Sequence, residues 1–165
     1  MSQSTSRSTS QLVLGIDPGT AVTGYGVVER SGQQVTLVEC GVIRTSAGRP
    51  LAIRIRDIYE GIVDLIERHR PSAVSIEDVF HGKNSRTALS LGHARGAIML
   101  AAALKDLEIA EYTAVQIKKA VTGTGRATKD QVGFMVQQRL RLRSAPAPAD
   151  AADGVAAALC HCMSP

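Results

Sequence analysis

The chain has 165 residues, a formal net charge of +4 and 44% hydrophobic residues, which is typical of one soluble domain with a substantial core. Aromatic residues make up only 3%, with no Trp, so the core is expected to be aliphatic, and stacking of bases on aromatic platforms is disfavoured as the main binding mode. Three cysteines suit a reducing cytoplasm rather than a disulfide framework, and the longest apolar run, residues 97–104, is too short to span a membrane. Residues 1–11 are predicted to be a disordered Ser/Thr-rich tail before a single domain over 12–165.

The first half of the domain is predicted to contain four strands and one helix. Two apolar runs separated by the turn Pro18-Gly19 predict a hairpin, and a β-branched run predicts the third strand. Short turns between these strands favour antiparallel pairing. Apolar residues then recur at helical spacing, in a helix that is expected to end before Pro71. The predicted elements are a hairpin over 12–29, a strand over 35–43, a helix around 55–66 and a strand over 73–77.

The second half is predicted to alternate helices with one more strand. Its long first helix carries Gly92 and Gly96 on one face, which indicates tight packing onto the sheet or a contact between two copies of the chain. Helices between strands favour parallel pairing, so the fold class is α/β, with a mixed five-stranded sheet flanked by helices. The predicted elements are a helix over about 87–106, a strand over 109–113 and helices over 114–121, from 128 into the basic run at 139–143, and from 149 to about 163.

Four acidic residues stand where charge is costly. Asp17 ends the first strand and Glu77 ends the fourth, and adjacent strand ends open into one crevice where ligands commonly bind. Asp150 and Asp153 lie one turn apart in an Ala-rich helix. A helix N-cap would explain Asp150 alone, whereas Asp153 lies too far into the helix to cap it.

The chemistry of these acids predicts a metal site if they converge. Four carboxylates in one cleft cannot all stay ionised without a counterion. Their hard oxygen ligands suit Mg²⁺ or Mn²⁺, and two such ions about 4 Å apart can activate water and stabilise the leaving oxygen of a phosphodiester. The pattern therefore predicts a nuclease with two divalent cations.

Basic residues are concentrated in one segment of the second half of the chain. Between residues 112 and 143 there are seven basic residues and only one acidic residue. This excess of positive charge predicts a surface that contacts phosphates, although a solvent-exposed helix face would show the same excess. The basic residues are Lys118, Lys119, Arg126, Lys129, Arg139, Arg141 and Arg143, and the acid is Asp130. Near the end of the chain, Cys160-His161-Cys162 matches no usual zinc spacing and is interpreted as part of a terminal helix.

With these residues assembled, the chain resembles the RuvC family of Holliday junction resolvases. The resemblance covers nearly all of the chain after the tail, and four segments carry it. They are GIDPGTAVTGYGVV, SIEDVFHGKNSRTALSLGHARG, EYTAVQIKKAVTGTGRATKDQV and PADAADGVAAALCHC.

The resemblance implies an RNase H-like fold and a homodimer that cuts four-way DNA junctions by paired, symmetric nicks in recombination and repair. It implies divalent metal ions, 5′-phosphate and 3′-hydroxyl products, and the branch-migration proteins RuvA and RuvB as partners. The catalytic and metal-binding acids that it implies are Asp17, Glu77, Asp150 and Asp153, with Asp17 between the two metals. The predicted DNA contacts are Phe80 on a base, Lys118 and Lys129 on the DNA, Lys83, Asn84 and Arg86 in the loop facing the junction centre, and Lys119 and Arg126 in the basic segment.

Other hypotheses explain less of the sequence. An actin-like or sugar-kinase ATPase would use the turn Asp17-Pro18-Gly19-Thr20 for phosphate, but its cleft needs two lobes and leaves Asp150 and Asp153 without a role. A non-catalytic junction-binding protein would have no need of all four acids. A related RNase H-like nuclease that processes RNA is disfavoured by the basic second half and by the loop that carries Phe80.

Overall fold

The structure is a computed structural model that describes residues 9–78 and 84–165. The predicted DNA contacts Phe80 and Lys83, and residues 1–8 of the predicted tail, lie outside the described residues. The strands are β1 (Gln11–Asp17), β2 (Val22–Ser31), β3 (Gln34–Arg44), β4 (Ala73–Asp78) and β5 (Glu108–Thr113). The helices are α1 (Leu51–His69), α2 (Ser85–Ala103), α3 (Ala114–Thr122), α4 (Lys129–Arg139) and α5 (Ala149–Met163).

The five strands form one mixed sheet with the order β3-β2-β1-β4-β5. Strands β1, β2 and β3 pair antiparallel, while β4 runs parallel to β1 and β5 runs parallel to β4. This arrangement confirms the predicted mixed sheet. Because Ile16 pairs with Ile76, the next residues along the two strands, Asp17 and Glu77, stand side by side at the end of the sheet.

Helices cover both faces of the sheet. One face packs Leu14, Ile16 and Ile76 against α1 and α2, and the other packs Val13 and Val28 against α3, α4 and α5. The interior is almost entirely aliphatic, as the composition predicts. Alternation of side chains along β1 and β4 sends Asp17 and Glu77 to the α5 face of the sheet.

Helix α5 lies unusually close to the sheet because glycines line the contact. A Cβ placed on Gly15 would lie 2.2 Å from the carbonyl oxygen of Gly154, and one on Gly26 would lie 2.6 Å from the Cα of Val155. The buried Ser75 hydroxyl donates a 2.7 Å hydrogen bond to the carbonyl oxygen of Ala157. These contacts fix the helix over β1, β2 and β4 and therefore set where its acidic first turns lie.

Three details of the structure bear on the sequence predictions. Gly92 and Gly96 do not pack on the sheet: both are exposed, and a Cβ on either would meet no atom of another described element within 4 Å. Helix α4 ends at Arg139, the first residue of the basic run in which it is predicted to end, and Arg141 then has a φ of 54°. Strand β1 begins at Gln11, one residue inside the predicted tail. Among the described helices, none is long and apolar enough to cross a membrane.

Candidate metal centre and active site

Acidic side chains from β1, β4 and α5 meet at one end of the sheet. Carboxylate oxygens of Asp17, Asp150 and Asp153 lie within 4.8 Å of one another. Glu77 lines one cavity together with Asp17 and Asp153. The four acids that the sequence singles out come from three segments, the first and last of which lie more than 130 residues apart, and the fold brings them into one cleft.

The turn after Asp17 is held by side chains on two other elements. The buried Thr23 hydroxyl donates a 2.8 Å hydrogen bond to the carbonyl oxygen of Gly19. Arg54 of α1 donates from Nη2 to the carbonyl oxygen of Thr20 at 3.0 Å. Asp17 thus precedes a turn with fixed geometry. The sequence does not predict that Thr23 and Arg54 hold this turn, although Thr23 does lie close to the turn along the chain.

Helix α5 presents its two acids without using either as a cap. The N-cap position is Pro148, and no side-chain hydrogen bond caps the helix, so the interpretation of Asp150 as an N-cap is wrong. Asp150 lies in the first turn, where the helix dipole favours a negative charge. Asp153 follows one turn later, and both carboxylates reach Asp17.

The protein groups around the cleft leave an excess of negative charge. Burial, followed by the charges of Glu77 and Asp153, raises the pKa of Asp17 to about 8. Burial also raises the pKa of Glu77, against the opposing effects of a hydrogen bond with Asp17 and the charges of Lys129 and Lys118. The pKa of Asp153 is raised by burial too, and Lys129 opposes this shift with its Nζ 3.3 Å from Oδ2 of Asp153.

The donor set fits a hard divalent cation. The clustered ligand atoms are all carboxylate oxygens, and they belong to partly buried groups that protein cations neutralise only in part. Oxygen-only sites of this kind suit Mg²⁺, Mn²⁺ or Ca²⁺ rather than zinc. By contrast, Cys160 and Cys162 are buried in the core, where burial raises the pKa of each thiol to about 11.

Two of the predicted DNA-binding lysines line the cleft. Lys118 comes from α3, and Lys129 is the first residue of α4. Each helix begins with a capping box, Thr113 with Gln116 in α3 and Thr128 with Gln131 in α4, and these boxes fix the helix starts.

The remaining candidate DNA-contacting residues that the structure describes lie on the surface. Lys119 and Arg126 are exposed and are not among the residues that line the cleft. Asn84 and Arg86 are also exposed, at the start of α2. The Asn84 side chain accepts a 2.8 Å hydrogen bond from the Arg86 backbone N–H, so Asn84 has a structural role as the N-cap of α2 whether or not it contacts DNA.

Comparison with known proteins gives consistent matches over most of the chain. The family model described as crossover junction endodeoxyribonuclease RuvC matches residues 13–161. A relative with that same name from Pelotomaculum thermopropionicum is 52% identical over 150 residues, which cover 91% of this chain and 92% of the relative. Thermus thermophilus RuvC, solved in complex with a Holliday junction substrate, is 34% identical, with a TM-score of 0.88 over 93% of each chain. The yeast mitochondrial Holliday junction resolvase Ydc2 shares the fold at 11% identity, with a TM-score of 0.69 over 92% of this chain and 77% of that one.

The strand order, together with carboxylates gathered at the end of β1, defines an RNase H-like protein with a nuclease-type acidic cleft. Within that class, the family match and the high identity over nearly the whole chain show that the chain belongs to the RuvC family.

Proposed function

We propose that this protein is an endonuclease that resolves four-way DNA junctions, cutting them by paired symmetric nicks in recombination and repair. The observation that carries the proposal is the convergence of Asp17, Asp150 and Asp153 within 4.8 Å in a chain of the RuvC family. A relative of similar length is named a crossover junction endodeoxyribonuclease, and a solved relative was bound to a Holliday junction. The products are expected to carry 5′-phosphate and 3′-hydroxyl ends.

The four acids are proposed to hold two divalent ions, Mg²⁺ or Mn²⁺. Asp17, Asp150 and Asp153, whose carboxylate oxygens cluster, would hold the ions together with Glu77, which lines the same cavity as Asp17 and Asp153. When bound, such ions supply an activated water and stabilise the leaving oxygen of a phosphodiester. The protein contributes by holding the carboxylates on rigid elements. It also keeps Asp17 and Glu77 largely out of bulk water, and charges interact more strongly in this less polar environment than in water.

The lysines at the cleft are proposed to bind the phosphates next to the scissile bond. Lys118 and Lys129 line the same cavity as Asp17 and Glu77, so a phosphate that reaches the acids also comes within reach of both ammonium groups. Their positive charge favours the DNA backbone and offsets part of the repulsion between phosphate and carboxylates. Lys119, Arg126, Asn84 and Arg86 are proposed to contact DNA farther from the cleavage site.

Paired nicks require two active sites, and we propose that a second copy of the chain supplies the other one. The outer face of α2 carries Leu89, which is 64% exposed, and Leu100, which is 52% exposed. Gly96 lies between them on the same face with open space above it, so a second helix can approach its backbone closely. This surface, which we call the α2 face, is the proposed homodimer contact.

Two further proposals rest on family membership. RuvA and RuvB, which move the branch point of a junction, are proposed as partners that deliver the substrate. The protein is proposed to act in the cytoplasm, and its three cysteines, Cys40, Cys160 and Cys162, are all free thiols.

The test is to incubate a labelled four-way junction, a linear duplex of matched sequence and an RNA–DNA hybrid with the protein and either Mg²⁺ or Mn²⁺, and to map the cuts. Symmetric nicks confined to the junction are expected, and they should be ligatable without end repair. Asp153→Asn serves as the control for contaminating nucleases. Equal cutting of the hybrid and the junction would contradict junction resolution and would favour an RNA-processing enzyme.

A further inference from the structure

A half-buried arginine links the exposed part of α2 to the strand that carries Glu77. Arg95 lies on the inner side of α2, and its side chain is only 21% exposed. Its Nη1 lies 3.5 Å from Oδ1 of Asp78, the last residue of β4. Its Nη2 makes a close ion pair with Oε1 of Glu111 on β5. One guanidinium therefore joins a helix to two parallel strands, at the last residue of β4 and at Glu111 within β5.

The two acids next to each other on β4 serve opposite faces of the sheet. Ser75 contacts α5, and Ile76 packs with Ile98 of α2 on the other face. By the same alternation, Glu77 points into the acidic cleft, while Asp78 points to α2 and contacts Arg95. Any shift of the β4 end that Arg95 imposes on Asp78 therefore also moves Glu77, the adjacent residue.

Arg95 stands where α2 first reaches the sheet. Residues 84–93 contain no buried residue, and Ala94 is the first buried position of the helix. The first half of α2 thus extends beyond the core, and it carries Asn84, Arg86 and half of the α2 face. From this part of the helix, Arg95 makes ion pairs with both β4 and β5.

The contact is not a fully satisfied ion pair. Nε of Arg95 is buried and has no hydrogen-bond partner among the described residues. The 3.5 Å distance from Nη1 to Asp78 exceeds that of a good charge-assisted hydrogen bond, so this contact is an ion pair without a well-formed hydrogen bond. The Nε–H of this guanidinium is therefore an unused donor among the described residues.

We propose that Arg95 is a positioning residue that couples the exposed half of α2 to Glu77 through Asp78. The proposal rests on the proposed function for its effect on cleavage, but its effect on metal binding is independent of the DNA substrate. Residues that orient a metal ligand typically change metal affinity or activity by about 10- to 100-fold.

The decisive comparison is between Asp78→Ala and Glu111→Ala, which each remove one carboxylate from the same guanidinium. Single-turnover cleavage of a four-way junction at saturating protein and Mn²⁺ should slow about tenfold or more in Asp78→Ala and stay within about threefold of wild type in Glu111→Ala. Junction affinity, measured in Ca²⁺, should be unchanged in both variants. Equal effects of the two substitutions, or no effect of Asp78→Ala, would overturn the proposal.

Metal binding gives a readout that does not depend on cleavage. Calorimetric titration with Mn²⁺ alone should show weaker metal binding in Asp78→Ala and in Arg95→Met. Arg95→Lys should recover part of the affinity, because lysine keeps the positive charge but lacks the two-pronged guanidinium that can contact both acids. Arg68→Met is the matched control, because Arg68 also pairs with two acids, Glu39 and Asp64, but lies away from the cleft. If wild type cut no junction, the proposed function would fail, whereas unaltered Mn²⁺ affinity in Asp78→Ala would refute the Arg95 proposal alone.

Discussion

Gly24 of β2 lies directly against the first turn of α5: a Cβ on Gly24 would lie only 1.7 Å from the carbonyl oxygen of Asp150. Gly24 also pairs with Asp17 across the β1–β2 ladder. The residue thus stands between two of the clustered acids, and its missing side chain lets α5 come close enough for Asp150 and Asp153 to reach Asp17.

Gly24→Ala should therefore separate α5 from the sheet and disrupt the metal site. The added methyl group meets backbone atoms, which cannot rotate away, so the variant should lose at least about 2 kcal/mol of unfolding free energy. Its Mn²⁺ affinity and junction cleavage should fall together. Gly48→Ala is the control, because a Cβ there meets no described atom within 4 Å. Cleavage by Gly24→Ala at the rate of Gly48→Ala would contradict this role.

Local sequence patterns predicted the elements, and chain order predicted the sheet. Short turns between the first three strands predicted their antiparallel pairing, and helices between the later strands predicted parallel pairing. The four acids were singled out because a charge is costly at a strand end and in an apolar helix. The glycines of β2 carried a usable signal, since Gly24 and Gly26 interrupt an apolar strand at period two, which indicates close approach of another backbone on one face.

Other features could not be predicted because they depend on tertiary contacts. The spacing of Gly92 and Gly96 shows that they share a face but not which face, and the structure turns it outward. Arg95 looks like an ordinary surface residue in sequence, and only the alternation of β4 together with the position of α2 gives it two partners.

Asp153→Asn, Asp17→Asn and Glu77→Gln should each abolish junction cleavage while leaving junction binding intact. Each change removes a carboxylate charge at nearly constant volume, and Lys118 and Lys129 remain to bind phosphates. Asp64→Asn, on the exposed surface of α1, is the control. Affinity measured by gel shift in Ca²⁺ and cleavage measured in Mg²⁺ separate the two properties. Substantial cutting by Asp153→Asn would refute the four-acid site.

Asp17→Asn should also stabilise the protein in EDTA at alkaline pH. The folded protein raises the pKa of Asp17 from 3.8 to about 8, so between these values it retains a proton that the unfolded chain has released. The contribution of Asp17 to the free energy of unfolding therefore falls as pH rises through this interval. The variant removes this loss and should be more stable than wild type by at least about 1 kcal/mol near pH 8.

Thermal unfolding in EDTA at about pH 5 and about pH 8.5 measures this effect. The difference between Asp17→Asn and wild type should grow with pH, and added Mg²⁺ should raise the melting temperature of wild type more than that of the variant. Asp64→Asn should show neither trend. A difference between Asp17→Asn and wild type that does not change with pH would mean that burial does not penalise the Asp17 charge.

Lys118→Ala should weaken junction binding and make it less sensitive to salt. If Lys118 contacts one phosphate, its loss should reduce the slope of log affinity against log salt by about 0.9. Lys105→Ala is the control, because Lys105 pairs with Glu67 beside a different cavity. Filter binding in Ca²⁺ across a range of NaCl concentrations gives both slopes. An unchanged slope for Lys118→Ala would show that this lysine contacts no phosphate.

Leu89→Glu should convert a dimer into a monomer. Leu89 and Leu100 are the large apolar residues on the α2 face, and a carboxylate placed there would have to be buried against the second copy without a partner. Light scattering after gel filtration should give twice the chain mass for wild type and the single-chain mass for Leu89→Glu, with unchanged circular dichroism. Val38→Glu, at an exposed apolar position on β3, should remain dimeric.

The monomeric variant should bind junctions more weakly and lose paired cutting, because a four-way junction then meets only one active site at a time. Wild type that remains a monomer at every concentration would remove the basis for simultaneous nicks.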